Sequence, residues 1–166
     1  MRVKGLYLNK IFLKKFRNYT HLKLEMDPGI NIFIGKNAQG KTNLLEAIYY
    51  LSSFSSHRTN LDNELVKWGD NYFYLQGLAK EGENKTKVEI GYGDGSGLNT
   101  SRKEVRINNN LIKRMYLGIG NISTVLFTPE DLYLIKGSPG VRRSFLDTEI
   151  LQISSIYGKY LRKYNK

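Results

Sequence analysis

Ile30-Asn31-Ile32-Phe33-Ile34-Gly35-Lys36-Asn37-Ala38-Gln39-Gly40-Lys41-Thr42-Asn43-Leu44-Leu45-Glu46-Ala47-Ile48-Tyr49-Tyr50-Leu51 changes character twice along its length. The first five residues are β-branched and mostly apolar, which predicts a strand buried on both faces. From Thr42 the pattern is helical: Leu44, Ala47, Ile48 and Leu51 recur on one side, with Glu46 expected on the other. Between them, Gly35 to Thr42 fits G-x-x-x-x-G-K-[ST], in the strand-then-helix context that the motif requires. A chance match in a chain of this size has odds on the order of a few in a thousand. The stretch therefore predicts an α/β protein of the P-loop class.

The chemistry of that loop follows from its residue types. Glycines let successive backbone N–H groups curl around an anion, and the following helix turns its positive end towards the same point. Lys41 supplies a point charge for terminal phosphates, and the Thr42 hydroxyl supplies a ligand for Mg²⁺. Gly35, Lys36, Asn37, Ala38, Gln39, Gly40, Lys41, Thr42 and Asn43 are thus the expected contacts of a nucleotide. Working ATPases also need an acidic group for the metal and a group that orients water. No run of four apolar residues here ends in Asp-Glu, so half of such a site is expected.

Outward from the loop, Lys10 to Leu13 and Leu22 to Met26 read as short strands, followed by a turn at Asp27-Pro28-Gly29. Ser52 to Asp70 is polar and reads as loop, with a short helix over Glu64 to Trp68. Tyr72 to Leu75, Lys87 to Tyr92 and Lys103 to Ile107 predict an antiparallel meander, joined in part by the Gly-rich turn that begins at Gly91. Asn108-Asn109-Asn110 predicts a hairpin turn. Ile122 to Phe127 reads as another strand, Glu130 to Lys136 as a short helix, and a longer helix begins with Ser138 as cap and Pro139 in its first turn. Residues 1–137 are expected to form the P-loop lobe with its antiparallel part, and 138–166 the start of a helical lobe. The last helical pattern is still running at Lys166, which predicts a piece of a longer protein with its C-terminal part missing.

Composition narrows the partners. The chain has 26 Lys plus Arg against 15 Asp plus Glu, a net charge of +11. Nucleic acid is the expected acidic partner, and seven cations with few acidic neighbours, Lys85, Lys87, Arg102, Lys103, Arg106, Lys113 and Arg114, are the expected DNA surface. The absence of cysteine excludes disulfides and Cys-based zinc sites. The N-terminus has neither a signal-peptide pattern nor an apolar span, so no membrane association and a cytoplasmic location are expected.

Several blocks together carry a resemblance: KFRNY (Lys15 to Tyr19), PGIN (Pro28 to Asn31), GKNAQGKTNLLEAIYYLS (Gly35 to Ser52), SSHRT (Ser55 to Thr59), FTPEDL (Phe127 to Leu132) and KGSPGVRRSFLD (Lys136 to Asp147). In order and over nearly the whole chain, they resemble the N-terminal part of the RecF family, relatives of SMC and Rad50 heads. That resemblance implies an ABC-type head with a mixed sheet and an antiparallel meander, which binds ATP with Mg²⁺. It also implies an ATP-dependent homodimer when full length, engagement of single-stranded, gapped or duplex DNA, and help in loading RecA with RecO and RecR. For the piece in hand it implies little turnover alone. It places Arg17 and Asn18 near the nucleotide and Arg58 near the terminal phosphate, with Glu130 or Asp131 as a further candidate metal ligand. The plain alternatives are a surface cation on a turn for Arg17 and a loop cation for Arg58. Other open readings are a different SMC-like head, a P-loop phosphotransferase, and a DNA-binding module without activity.

Overall fold

The protein is described here by a computed structural model covering residues 5–93 and 103–164, the side chains of 130, 132, 133 and 155 excepted. Six strands form one sheet: β1 (Tyr7–Phe16), β2 (Tyr19–Glu25), β3 (Phe73–Glu81), β4 (Asn84–Tyr92), β5 (Glu104–Ile107) and β6 (Asn110–Leu111). Their order is β2-β1-β3-β4-β5-β6, and every neighbouring pair is antiparallel. Period-two alternation drives this. Along β3, Phe73, Leu75, Gly77 and Ala79 are buried while the residues between them are partly exposed, so one face meets the core and the other meets water. Asn108 and Asn109 close the last hairpin at φ 49° and 68°. These are the left-handed values that a two-residue turn of this hand needs.

Helix α1 (Lys41–Ser53) lies on the inner face of the sheet, and Leu44, Ala47, Tyr50 and Leu51 enter the core. Gly77 makes this close approach possible, because a Cβ there would stand 2.7 Å from Leu51 Cδ1. Below the helix the Phe73 ring meets Phe16 edge-on at 5.5 Å and Tyr50 edge-on at 5.8 Å, and stacks on Tyr92 at 5.6 Å. Both arrangements are ones that aromatic pairs favour. Three further helices follow: α2 (Tyr133–Lys136), α3 (Pro139–Ile153) and α4 (Ser155–Tyr164). Pro139 opens α3 as its sequence predicts, although the Ser138 side chain makes no capping bond. The terminal helical pattern breaks at Ser154 into two helices rather than running through. Among the described residues no helix is long and apolar enough to cross a membrane.

Two expected strands are absent from the sheet. Ile30 to Ile34 runs without a ladder, with Ile30, Ile32 and Ile34 exposed at 91, 75 and 92% and only Phe33 packed on the core. Ile122 to Phe127 behaves alike: Ile122 is buried, while Val125 and Phe127 are 85 and 88% exposed. A strand needs a hydrogen-bonding neighbour as well as an apolar pattern. No described strand lies beside either segment. The short helix expected over Glu64 to Trp68 is a 3₁₀ turn at Asp62–Leu65. Most of the Gly-rich turn after Gly91 falls outside the described residues.

Candidate phosphate-binding site

The loop from Gly35 enters α1 through Gly40, whose φ of 99° and ψ of 4° lie in the left-handed region. Space forbids a side chain there as well, since a Cβ would meet Asn18 Nδ2 at 2.6 Å and Tyr19 Oη at 3.0 Å. Ala38 also takes a left-handed φ, 64°. That is a strained choice for a residue with a Cβ. The loop is braced from the β1–β2 turn: Tyr19 Oη donates to the Gly40 carbonyl at 3.1 Å. Lys41 Nζ donates to the carbonyls of Gly35 at 2.6 Å and Lys36 at 2.7 Å, which holds the ammonium inside the loop it is expected to serve. No acidic residue occupies the first turn of α1. Nothing there offsets the positive end of the helix.

These groups border a cleft of about 400 Å³ lined by Asn37, Ala38, Gly40, Lys41, Thr42, Asn43 and Arg58. Gly35 and Lys36 contribute through their carbonyls, whereas Gln39 is exposed and is not part of the lining. Arg17 and Asn18 act from behind. Asn18 Oδ1 accepts from Asn43 Nδ2 at 2.8 Å. Arg17, at φ 53°, grips Glu46 through Nε at 2.9 Å and Nη2 at 2.6 Å and donates Nη1 to the Glu64 carbonyl at 2.8 Å. Arg17 is therefore an internal clamp and not a free surface cation.

Glu46 is the residue that sequence reasoning misplaced. Its side chain is fully buried, because the β1–β2 turn and the segment after α1 fold over the side of the helix that a hydrophobic pattern assigns to water; Leu45 is the exposed residue there. Besides Arg17, Glu46 accepts from Ser56 Oγ at 2.6 Å and Arg58 Nη1 at 3.2 Å. Burial by itself would raise the Glu46 carboxyl. The bonds from Arg17 and Ser56 and the charges of Arg17 and Arg58 outweigh it and hold the group below the usual 4.5. A depressed carboxylate contributes stability above its unfolded pKa and loses it as pH falls through the folded value. Thermal melts should therefore fall as pH drops below the ordinary glutamate value of about 4.3. The drop should be shallower in Glu46→Gln, which has no carboxylate to protonate. Parallel acid limbs for the two proteins would remove Glu46 as a source of acid sensitivity.

For the metal, Thr42 offers a hydroxyl in the cleft. It is an oxygen donor of the kind Mg²⁺ accepts. Asp131 is occupied elsewhere: its Oδ2 accepts the Thr128 N–H at 2.5 Å and the Thr128 hydroxyl at 3.3 Å. Asp131 is not among the residues that line the cleft. The Glu130 side chain lies outside the described part.

The seven cations of the expected DNA surface differ in their surroundings. Lys103 is drawn inward, with its ammonium 3.2 Å from Asp62, donating to the Phe54 carbonyl and standing 4.6 Å from the Tyr50 ring centre; burial holds its pKa below 10.5. Lys87 pairs with Glu89 at 2.9 Å and Arg106 with Glu104 at 2.6 Å. Lys85, Lys113 and Arg114 are exposed, and Arg102 is outside the described residues.

Residues 6–147 match the family model described as AAA ATPase domain. The DNA replication and repair protein RecF of Clostridium botulinum (strain ATCC 19397 / Type A) is 44% identical over 162 residues, which are 97% of this chain and 43% of that protein. The RecF of Lactobacillus johnsonii (strain CNCM I-12250 / La1 / NCC 533) is 42% identical over 161 residues, 97% of this chain and 41% of that protein. Among solved structures, the recombination mediator protein RecF of the RecFOR pathway is similar in two states. The one described as RecF-ATPrS has a TM-score of 0.88 at 40% identity, covering 98% of this chain and 43% of that one. The one described as RecF-ATP has a TM-score of 0.88 at 40% identity, covering 97% and 43%. The chain thus spans about two-fifths of the length of these relatives. It belongs to the AAA ATPase domain family and is a RecF-like ATPase head, corresponding over nearly its whole length to the N-terminal part of RecF.

Proposed function

We propose that this chain is the nucleotide-binding part of an ATP-switched DNA-repair protein, and that the cleft over Gly35 to Thr42 takes the phosphates of ATP. The observation that carries this is convergence: the Lys41 ammonium, the positive end of α1, the Thr42 hydroxyl and the Arg58 guanidinium all border one cleft. Each group has a separate task. Loop N–H groups and the helix end hold phosphate oxygens, Lys41 neutralises the charge between the last two phosphates, and Arg58 meets the terminal one from the side. Thr42 would hold Mg²⁺ from the protein side, and the ion would supply neutralisation of phosphate charge when bound.

Among the described residues the lining includes no Asp or Glu, and on this reading the chain's own contribution is binding, with slow hydrolysis at most. Engagement of DNA, pairing of two heads around ATP, and help with RecA loading beside RecO and RecR rest on the RecF likeness and on the net charge of +11. The direct test is calorimetry of ATP against the whole chain with and without Mg²⁺. We expect one site, filled more tightly with the ion. No heat of binding up to millimolar ATP in either buffer would end this reading.

A further inference from the structure

Glu46 takes no place in the cleft lining, yet its buried side chain accepts four hydrogen bonds, two from Arg17 and one each from Ser56 and the lining residue Arg58. We propose that Glu46 is a positioning residue: its buried carboxylate presents Arg58 to the terminal phosphate and takes it back when that phosphate is absent. The proposal rests on the reading of the cleft as an ATP site.

The two arginines on this carboxylate are held unequally. Arg17 is tied by two bonds of 2.9 and 2.6 Å and a third to the Glu64 carbonyl, and its side chain is 18% exposed. Arg58 makes one longer contact of 3.2 Å to the carboxylate, shares Nη1 with Asn43 Oδ1 at 3.0 Å, and is 45% exposed in the cleft. A buried carboxylate stripped of every cation is strongly unfavourable. With Arg17 remaining on it, Arg58 can leave without stranding the charge.

Glu46 also fixes the backbone of Arg58. Ser56 Oγ donates to Glu46 Oε1 at 2.6 Å, and the same oxygen accepts the Arg58 N–H at 2.9 Å and the Thr59 N–H at 3.3 Å. One carboxylate therefore holds Arg58 at both ends, through Ser56 at the main chain and directly at the guanidinium. Without that hold, an exposed arginine samples many rotamers, and ordering it on the phosphate weakens binding by about threefold to tenfold. Pre-positioning acts only on the group that meets the terminal phosphate, so it favours ATP over ADP rather than both alike.

The test is the ratio of ADP to ATP dissociation constants, measured by calorimetry with Mg²⁺ for the wild type, Arg58→Ala, Glu46→Gln, their double variant, and Ser56→Ala. Arg58→Ala should shrink the preference for ATP about tenfold, the scale of one hydrogen bond between charged groups. Glu46→Gln should shrink it about threefold or more, and the double variant should fall no further than Arg58→Ala alone, because Glu46 acts through Arg58. Ser56→Ala should give a smaller loss of the same sign. A merely structural Glu46 would weaken ATP and ADP equally and leave the ratio unchanged, which would overturn the proposal, as would independent, multiplying losses in the double variant. If Glu46→Gln does not fold, Ser56→Ala decides, and an unchanged ratio there is the overturning result. A wild type that binds neither nucleotide ends the ATP reading, whereas wild-type binding with an unaltered ratio in the variants ends only the role of Glu46.

Discussion

Lys41→Ala should weaken ATP binding on the order of 100-fold while leaving the fold intact. The magnitude follows from removing a charged donor from a multiply charged ligand: such a bond contributes about 1.5–3 kcal/mol, and each step of about 1.4 kcal/mol is tenfold. The intact fold follows from what Lys41 touches. Among the described residues its ammonium bonds the carbonyls of Gly35 and Lys36, which lie on exposed residues where water can replace it. Calorimetry gives the affinity, and a melt close to that of the wild type gives the control. A loss under about threefold would mean that the ammonium does not meet phosphate; a collapsed melt would mean that it holds the loop together instead. Lys41→Arg should rescue poorly, because a planar fork does not replace a compact ammonium between two phosphates.

What the sequence made legible was local. The phosphate loop carries its own geometry in its glycines, and the meander shows in outline, Tyr72 to Leu75 marking only the start of β3, whose alternation runs on to Ala79. What escaped depended on neighbours distant in the chain. The helical pattern of α1 gives the direction of its apolar stripe but not what folds over its other side, so Glu46 read as solvated although Arg17, 29 residues earlier, waits for it. Lys103 read as a surface charge because the stretch around it is basic; its partner Asp62 is 41 residues away. In the other direction, Ile30 to Ile34 has the composition of a buried strand but stands largely open to water. Composition states what a segment would bury and not whether another strand lies beside it. Within the linear charge cluster only Lys103 is taken by a partner distant in the chain; Lys87 and Arg106 pair with Glu89 and Glu104, each two residues away on the same strand and face, neighbours that period-two alternation gives.

Phe73→Ala should destabilise the chain by about 3–5 kcal/mol, the range for a fully buried phenylalanine whose surroundings cannot collapse into the space. The surroundings here are stiff. The ring is wholly buried on the inner face of β3, between Phe16 of β1, Tyr50 of α1 and Tyr92 of β4, so each of these ring neighbours sits on a different element. None of them can move into the gap alone. Tyr50 is further fixed by donating its hydroxyl to Asp62 at 2.5 Å, and Phe16 precedes the Arg17 that clamps Glu46. Ordinary domains are stable by about 5–15 kcal/mol, so this one ring carries a large share of the whole. The loss should also reach the nucleotide site, because α1, whose first turn lines the cleft, and the end of β1, which leads into the turn bracing the loop, both rest on Phe73. Urea unfolding should show a lower midpoint with an unchanged slope. Leu61, 57% open to solvent, supplies the comparison. Its change to Ala should alter stability by less than about 0.5 kcal/mol. If Phe73→Ala lost no more than Leu61→Ala, the aromatic cluster would not be the core on which α1 sits. If it instead changed the slope, loosening of the whole native state would be the cause rather than a local cavity.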